Sequence, residues 1–445
     1  MPRVRVHAPA LSVLLFALPF AAPVAAASSP GQGLSAQEQR ISAAVTAGQE
    51  GAIALLARLV EQNSGTLNPA GVEAVARMLA PEFEALGFSV AWKPMPQTGR
   101  AGHLLAVHKG SGKGKRILLI GHLDTVFERD SPFTGFRREG MRGIGPGVSD
   151  NKGGVAVMLA ALDAMHATGA LRDADIEVVL TGDEEDAGSP VALARADLVA
   201  AGRRADVALD FENLAREDGL DMGSIARRSS NSWTLTVHGE TGHSSGIFSA
   251  SMGDGAIFEL ARILAAFRTE LPEPNLTFNV GLAGGGQVAA FDAGKTRIEL
   301  GGKDNIVPPA ALARGDFRTL SAEQTGRVAE KMRAIVARHL PRTTATLEID
   351  EGYPPMAPTA GNRALLAQLN DINQDLGLPR MGELDPLRRG AGDISFVAAD
   401  VDGLVGMGIA GSGSHADGES ADLDSIVRQA RRAAILMHRL ANSTR

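Results

Sequence analysis

Histidine and carboxylate side chains follow several apolar runs of this sequence, at spacings that could hold divalent metal ions. His122 and Asp124 follow one apolar run, and Asp150 ends a glycine-rich turn just before a helical pattern. Glu184 and Glu185 follow the next apolar run. Because open α/β sheets place their active sites at the carboxyl ends of strands, we expect these side chains to share one sheet edge.

Three further side chains extend this set. Asp210 and Glu212 end another strand pattern, and His415 lies in a Gly/Ser loop near the C-terminus. The sequence contains no cysteine, so a metal would be held by His, Asp and Glu, as zinc is when thiolates are absent. Singly, Asp150 could cap a helix and His415 could be an exposed loop residue, but the joint pattern predicts a zinc site.

The elements that would position these residues read as an α/β layer. Strand and helix patterns alternate through residues 35–225, which predicts a mainly parallel sheet flanked by helices. Two helices and four alternating strands in residues 226–350 predict a smaller inserted α+β domain of about 125 residues. The α/β pattern returns in residues 351–445, so we expect one α/β domain in two parts, with the smaller domain inserted between them.

The first 27 residues differ in composition from the rest. Arg3 and Arg5 precede an apolar run that ends in three alanines, as in a secretory signal peptide. An uncleaved membrane anchor is the alternative, but Pro19 and Pro23 interrupt the run and it is short for a span. We expect a periplasmic or secreted protein with no stable membrane association after signal cleavage.

The overall charge limits the classes of binding partner that we expect. A formal net charge of −7 argues against nucleic acid. Small polar molecules or peptides are the expected partners.

The motifs also resemble a known family, the co-catalytic zinc metallopeptidases that include glutamate carboxypeptidase, carnosinase-type dipeptidases, succinyl-diaminopimelate desuccinylase and aminoacylase. The pattern is most similar to glutamate carboxypeptidase. The resemblance implies two zinc ions per chain, with cobalt or manganese as alternatives, and small peptides or N-acyl amino acids as substrates. It also implies a catalytic domain, here residues 35–225 and 351–445, interrupted by a lid, here residues 226–350, that often forms a homodimer. It runs from about residue 37 to the C-terminus and rests on His122-x-Asp124, Gly145-x-Gly147-x-x-Asp150-x-Lys152-Gly153-Gly154, Glu184-Glu185, Glu212 and His415.

The resemblance assigns a role to each metal-site residue. Asp150 would bridge both ions, His122 and Glu212 would complete one site, and Glu185 and His415 the other.

The resemblance also assigns roles to two acids that do not bind the ions directly. Asp124 would accept a hydrogen bond from the His122 ring, and Glu184 would be the general base. Asp210 remains an alternative to Glu212, which is preferred because its neighbours resemble the family's aromatic- or glycine-Glu-Pro segment.

The lid contributes three further candidates. Residues 239–244 resemble the family's Gly-x-x-x-His-Ser segment, in which the histidine, here His243, reaches the active site across the dimer. His238 is its alternative. Asn305 and Arg318 resemble residues that hold the substrate's free carboxylate, which suits the planar guanidinium; an exposed strand-end charge is the other interpretation of Arg318.

Two departures from the family pattern concern the substrate. Residues 292–303 look like an insertion in the lid, and Gly392 stands where many relatives carry threonine. The leading hypothesis is a metallo-exopeptidase that releases a C-terminal, glutamate-like amino acid. An N-acyl amino acid amidohydrolase and a non-catalytic periplasmic binding protein are the alternatives.

Overall fold

The computed structural model describes residues 33–444, so the predicted signal peptide lies outside the described residues. The helices are α1 (Ala36–Ala47), α2 (Gln49–Glu61), α3 (Pro69–Ala85), α4 (Lys152–Ala167), α5 (Val191–Ala194), α6 (Ala196–Arg204), α7 (Ala256–Glu270), α8 (Ala322–Val336), α9 (Ala360–Asp375) and α10 (Asp424–Ala441). The strands are β1 (Ser89–Pro94), β2 (Gly102–His108), β3 (Arg116–His122), β4 (Arg137–Glu139), β5 (Arg142–Ile144), β6 (Asp175–Thr181), β7 (Val207–Asp210), β8 (Arg216–Glu217), β9 (Leu220–Gly223), β10 (Ser230–Gly239), β11 (Gly242–His243), β12 (Thr277–Gly286), β13 (Val288–Phe291), β14 (Ile298–Gly301), β15 (Ile306–Val307), β16 (Ala310–Arg318), β17 (Thr343–Tyr353), β18 (Gly382–Glu383), β19 (Gly403–Val405), β20 (Ala410–Ser412) and β21 (Ser420–Asp422).

A six-stranded sheet of order β1-β2-β6-β3-β7-β19 forms the centre of the catalytic domain. The four strands from β6 to β19 are parallel, and β1 and β2 are antiparallel additions at one edge. The mainly parallel sheet predicted from the sequence is therefore confirmed.

Both faces of this sheet are buried, which explains why β3 reads as one continuous apolar run. Ile117 and Leu119 pack into the larger core, formed mainly with α1, α2, α4 and α10. Leu118 and Ile120 pack into the smaller core on the opposite face.

The helix α4 lies unusually close to the end of β7. A Cβ on Gly154 would stand 1.9 Å from the carbonyl oxygen of Phe211, so only glycine allows this approach. The contact brings the start of α4, and with it Asp150, to the strand that leads into Glu212.

The lid is an antiparallel sheet of order β12-β16-β10-β17 with α7 and α8 packed against it. Its core is separate from that of the catalytic domain and includes Trp233, Phe267, Phe317 and Val328. The stretch predicted as an insertion contributes to a hairpin in which β13 pairs with β14.

Within residues 33–444, no single helix is both long and apolar enough to span a membrane. Only α1 and α2 taken together, across a 52° bend, reach that length and composition. Their apolar residues belong to the catalytic core.

Candidate metal centre

The register of the parallel strands brings the acids and histidines together. His122, the last residue of β3, lies opposite Thr181 at the end of β6. Ile120, two residues earlier, lies opposite Asp210 at the end of β7. Residues that follow these strands therefore emerge side by side at one edge of the sheet, as the sequence pattern predicts.

The metal-site side chains form two clusters that share one carboxylate. His122, Asp150 and Glu212 make one cluster, and Asp150, Glu185 and His415 make the other, each with its ligand atoms within 4.8 Å of one another. Asp150 turns one oxygen to each side: Oδ1 lies 3.1 Å from Nε2 of His122, and Oδ2 lies 3.4 Å from Nε2 of His415. A carboxylate in this position can bridge two ions.

Three observations fit a dinuclear metal site. Nδ1 of His122 lies 3.1 Å from the carbonyl oxygen of Asp124, which can only accept, so Nδ1 carries the proton and Nε2 is free to bind a cation. The buried Oε1 of Glu185 has no hydrogen-bond partner in the described structure. The donor set, two imidazoles and three carboxylates, suits zinc in a protein without cysteine.

The two clusters differ in exposure. The side chains of His122 and Glu212 are 1% and 9% exposed, whereas that of His415 is 56% exposed. The centre is therefore open to solvent on the His415 side.

The geometry distinguishes Glu212 from Asp210 as the candidate metal ligand after β7. Oε1 of Glu212 lies 3.3 Å from Nε2 of His122. Asp210 instead accepts a hydrogen bond from the backbone N–H of Glu212, and burial raises its pKa to about 8. Asp210 lies outside both clusters, so Glu212 is the acid placed to bind metal.

The Asp124 carboxylate lies beside the His122 ring and also makes contacts that the sequence did not predict. Its carboxylate oxygen lies 3.4 Å from Nδ1 of His122, farther than its own backbone carbonyl. The carboxylate accepts the backbone N–H groups of Glu184 and Glu185, each at 3.1 Å, and the hydroxyl of Thr66 at 2.7 Å. Asp124 therefore fixes the turn that carries both glutamates.

Glu184 lies beside the clusters without belonging to either. Burial raises the pKa of its carboxyl group well above the usual range; the carboxylates of Glu212 and Asp393 add to this, while the His122 imidazole opposes it. A raised pKa suits a group that accepts a proton from water and later returns it.

A buried network of charged and polar side chains lies behind Glu184, and the sequence did not predict it. Arg195 lies between α5 and α6, and its guanidinium pairs with Asp183 at 2.6 Å and Asp393 at 2.7 Å. It also donates to the hydroxyl of Tyr353, which donates to the backbone carbonyl of Glu184 at 2.7 Å. Only the acid-rich sequence after β6 hinted at a buried cation.

Removing this hydroxyl tests the network. In Tyr353→Phe we expect the free energy of unfolding to fall by about 1–3 kcal/mol, because a bond to a buried charged group is lost. We also expect kcat to fall by about 10-fold or more, because the turn that carries Glu184 loosens. Denaturant titration, zinc content and steady-state kinetics check this; reduced stability with unchanged kcat would leave the hydroxyl with a structural role only.

A second arginine lies beside Gly392. The buried guanidinium of Arg227 lies 2.7 Å from where a Cβ on Gly392 would stand, so a side chain at position 392 would have to displace it. Arg227 donates to the carbonyls of Gly390 and Ala391, and its Nη1 lies 3.4 Å from Oε2 of Glu212. An arginine beside a metal-site glutamate therefore occupies the space next to Gly392.

The three lid candidates lie in two places. Pairing of β11 with β15 sets His243 opposite Ile306, next to Asn305, and both side chains are exposed. Arg318 ends β16, with Nη1 3.5 Å from the Cβ position of Gly390 in the catalytic domain. No hydrogen bond or ion pair found among residues 33–444 joins His243 to the metal clusters, and its ring bonds Ser245.

The sequence matches a protein family and is similar to proteins with assigned activities. Residues 118–439 match the profile of Peptidase family M20/M25/M40. The chain is 27% identical to carboxypeptidase G2 of Pseudomonas sp. (strain RS-16), over 88% of this chain and 90% of that protein. It is 30% identical to the succinyl-diaminopimelate desuccinylase of Acidiphilium cryptum, over 65% and 74%.

Solved structures share the fold. An aminopeptidase PepT from Bacillus cereus superposes with a TM-score of 0.68 at 18% identity, over 88% of this chain and 99% of that chain. Human carnosine dipeptidase 1 superposes with a TM-score of 0.59 at 14% identity, over 92% and 100%.

Proposed function

Because this chain belongs to peptidase family M20/M25/M40, whose members are metallopeptidases and amidohydrolases, we propose that it releases a C-terminal amino acid from a peptide or N-acyl amino acid, using two zinc ions. One observation carries the proposal: the two clusters share Asp150, whose oxygens face different histidines. Cobalt or manganese would occupy the same ligands.

Side chains of this protein would carry out the proton transfers of the reaction. Two divalent ions at this site supply Lewis acidity toward the scissile carbonyl and the attacking water. Glu184 accepts the proton of the water and passes it to the leaving amine. The Asp124 carboxylate and the Tyr353 hydroxyl hold the backbone of Glu184 during this transfer.

The lid supplies substrate contacts in this proposal. Arg318 and Asn305 bind the free carboxylate of the released residue, and the fork of the guanidinium matches that group. His243 donates to the developing oxyanion. The similarity to carboxypeptidase G2 over most of both chains supports release of a C-terminal, glutamate-like residue.

An N-acyl amino acid amidohydrolase is the second candidate. Its support is the similarity to succinyl-diaminopimelate desuccinylases. A non-catalytic binding protein does not fit this chain, because the relatives it resembles are enzymes.

A substrate panel tests the proposal. Mature zinc-loaded protein is assayed with dipeptides ending in glutamate, dipeptides ending in glutamine or leucine, and N-acetyl amino acids. We expect cleavage of free-carboxylate peptides and none of the matching C-terminal amides. Cleavage restricted to N-acyl compounds would replace the proposal with the second candidate, and fewer than two zinc ions per chain would overturn the dinuclear site.

We also propose export to the periplasm or the medium, on the strength of the pattern in residues 1–27. Fractionation of cells that make the full-length chain, with N-terminal sequencing of the product, tests it. An intact N-terminus in the cytosolic fraction would contradict it.

We propose further that two chains associate through their lids. Large apolar side chains are exposed on this domain, and exposed apolar surface of this kind is found at interaction sites. They are Phe248, Ile257, Phe258, Val280, Val288 and Leu300. His243 is exposed and forms no hydrogen bond with a metal-site residue of its own chain within the described structure, which fits a role in the partner's active site.

Mixing two inactive variants tests this arrangement. Heterodimers of His243→Ala and Glu184→Gln chains contain one intact active site if His243 acts across the dimer. We expect recovery of roughly a quarter of wild-type activity at equal mixing, since half of the dimers are mixed. Glu184→Gln mixed with Asp150→Ala should recover nothing. Each change damages the active site of its own chain, so neither site of the mixed dimer is intact. No recovery in the first mixture would place His243 within its own chain's function or outside catalysis.

A further inference from the structure

Glu419 is a fully buried carboxylate that the catalytic scheme does not use. Its oxygens accept the backbone N–H groups of Gly147 at 2.9 Å, Ser149 at 2.7 Å and Asp150 at 2.9 Å. The hydroxyl of Ser149 donates a fourth hydrogen bond at 2.8 Å. All four donors belong to the turn that ends in Asp150.

No arginine or lysine of residues 33–444 forms an ion pair with Glu419. Successive backbone N–H groups form a concave site for an anion, and hydrogen bonds to a charged acceptor are stronger than neutral ones. The turn therefore wraps a carboxylate, and this carboxylate fixes the backbone of Asp150.

The same carboxylate links both metal clusters, because Glu419 lies in the loop that carries His415. A second contact joins the two loops, since the Ser414 hydroxyl lies 3.3 Å from that of Ser149. Ser414 also accepts a hydrogen bond from the side chain of Asn213, at 3.1 Å. Ser149, Asn213 and Ser414 are each the immediate neighbour of a metal-site residue.

We propose that Glu419 is a positioning residue for the dinuclear site. It holds Asp150 so that one carboxylate oxygen faces each cluster, and it fixes the distance between Asp150 and His415. This inference rests on the proposed function, because it requires that Asp150 binds metal. Glu419 itself lies behind the turn and acts only through Asp150.

Zinc titration against a chromophoric chelator tests the proposal without any substrate. In Glu419→Gln one oxygen becomes an NH2 group, which cannot accept from the backbone donors of the turn. We expect zinc affinity to fall by about 10–100-fold, as for other residues that orient metal ligands. Asp417→Asn is the matched control, because Asp417 is an exposed carboxylate of the same loop, and its affinity should equal that of the wild type.

A milder variant keeps the test decisive if Glu419→Gln fails to fold. Ser149→Ala removes only one hydrogen bond to Glu419, and we expect a smaller loss of zinc affinity in the same direction. Zinc binding at wild-type affinity by folded Glu419→Gln, or by Ser149→Ala when Glu419→Gln does not fold, would overturn the positioning role. A wild-type chain that binds fewer than two ions would instead overturn the proposed metal site.

Discussion

Replacing Glu184 with glutamine is expected to lower kcat by about 10²–10⁴-fold while the chain still binds two zinc ions. The amide cannot accept the proton of the attacking water. Metal binding should persist, because Glu184 belongs to neither cluster. Steady-state kinetics with metal analysis of the same samples separates the two properties.

Two neighbouring carboxylates provide matched controls for this variant. Asp186→Asn removes an exposed charge from the same turn and should leave kcat and zinc content unchanged. Glu185→Gln alters a cluster residue and should lower zinc affinity together with activity. If Glu184→Gln turned over every substrate at the wild-type rate with a full metal complement, another group would have to move the proton.

Replacing Asp150 with alanine is expected to remove both ions. Asp150 is the one residue common to the two clusters, and its loss leaves two incomplete ligand sets. Metal ions contribute several kcal/mol to such reactions, so hydrolysis should fall to about one-thousandth of the wild-type rate or less. Zinc per chain after equilibrium dialysis is the direct measurement.

The variant His415→Ala should lose fewer ions than Asp150→Ala. His415 belongs to one cluster only, so its variant should retain the ion held by His122 and Glu212. More than one tightly bound ion per chain in Asp150→Ala would show that the two clusters are independent, and the bridging role would be wrong.

The sequence was sufficient for the sheet and for the residues at its edge. A strand buried on both faces, such as β3, has an uninterrupted apolar run, and the acids that follow such runs must meet where parallel strands end. In a chain without cysteine, the imidazole and carboxylate donors then stand out by chemical type. For the same reason Glu212 and Asp210 could not be separated by type. The neighbouring residues favoured Glu212, and the geometry after β7 also places Glu212 in the cluster.

The residues that support the site could not be found in this way. Arg195 and Asp393 are 198 residues apart, and Ser149 and Glu419 are 270 residues apart. Their partners depend on how distant loops pack, and periodicity carries no information about that. Arg227 illustrates the limit: glycine at position 392 shows that a threonine is absent, but not that a guanidinium fills the space.

The hydrogen bond from Tyr353 to the carbonyl of Glu184 has a consequence for lid motion. Tyr353 is the last residue of β17, the strand by which the chain leaves the lid and re-enters the catalytic domain. A swing of the lid about this junction that displaces the hydroxyl also pulls on the backbone of the proton acceptor. If the lid moved about this junction, the tyrosine hydroxyl would carry that displacement to the backbone of Glu184.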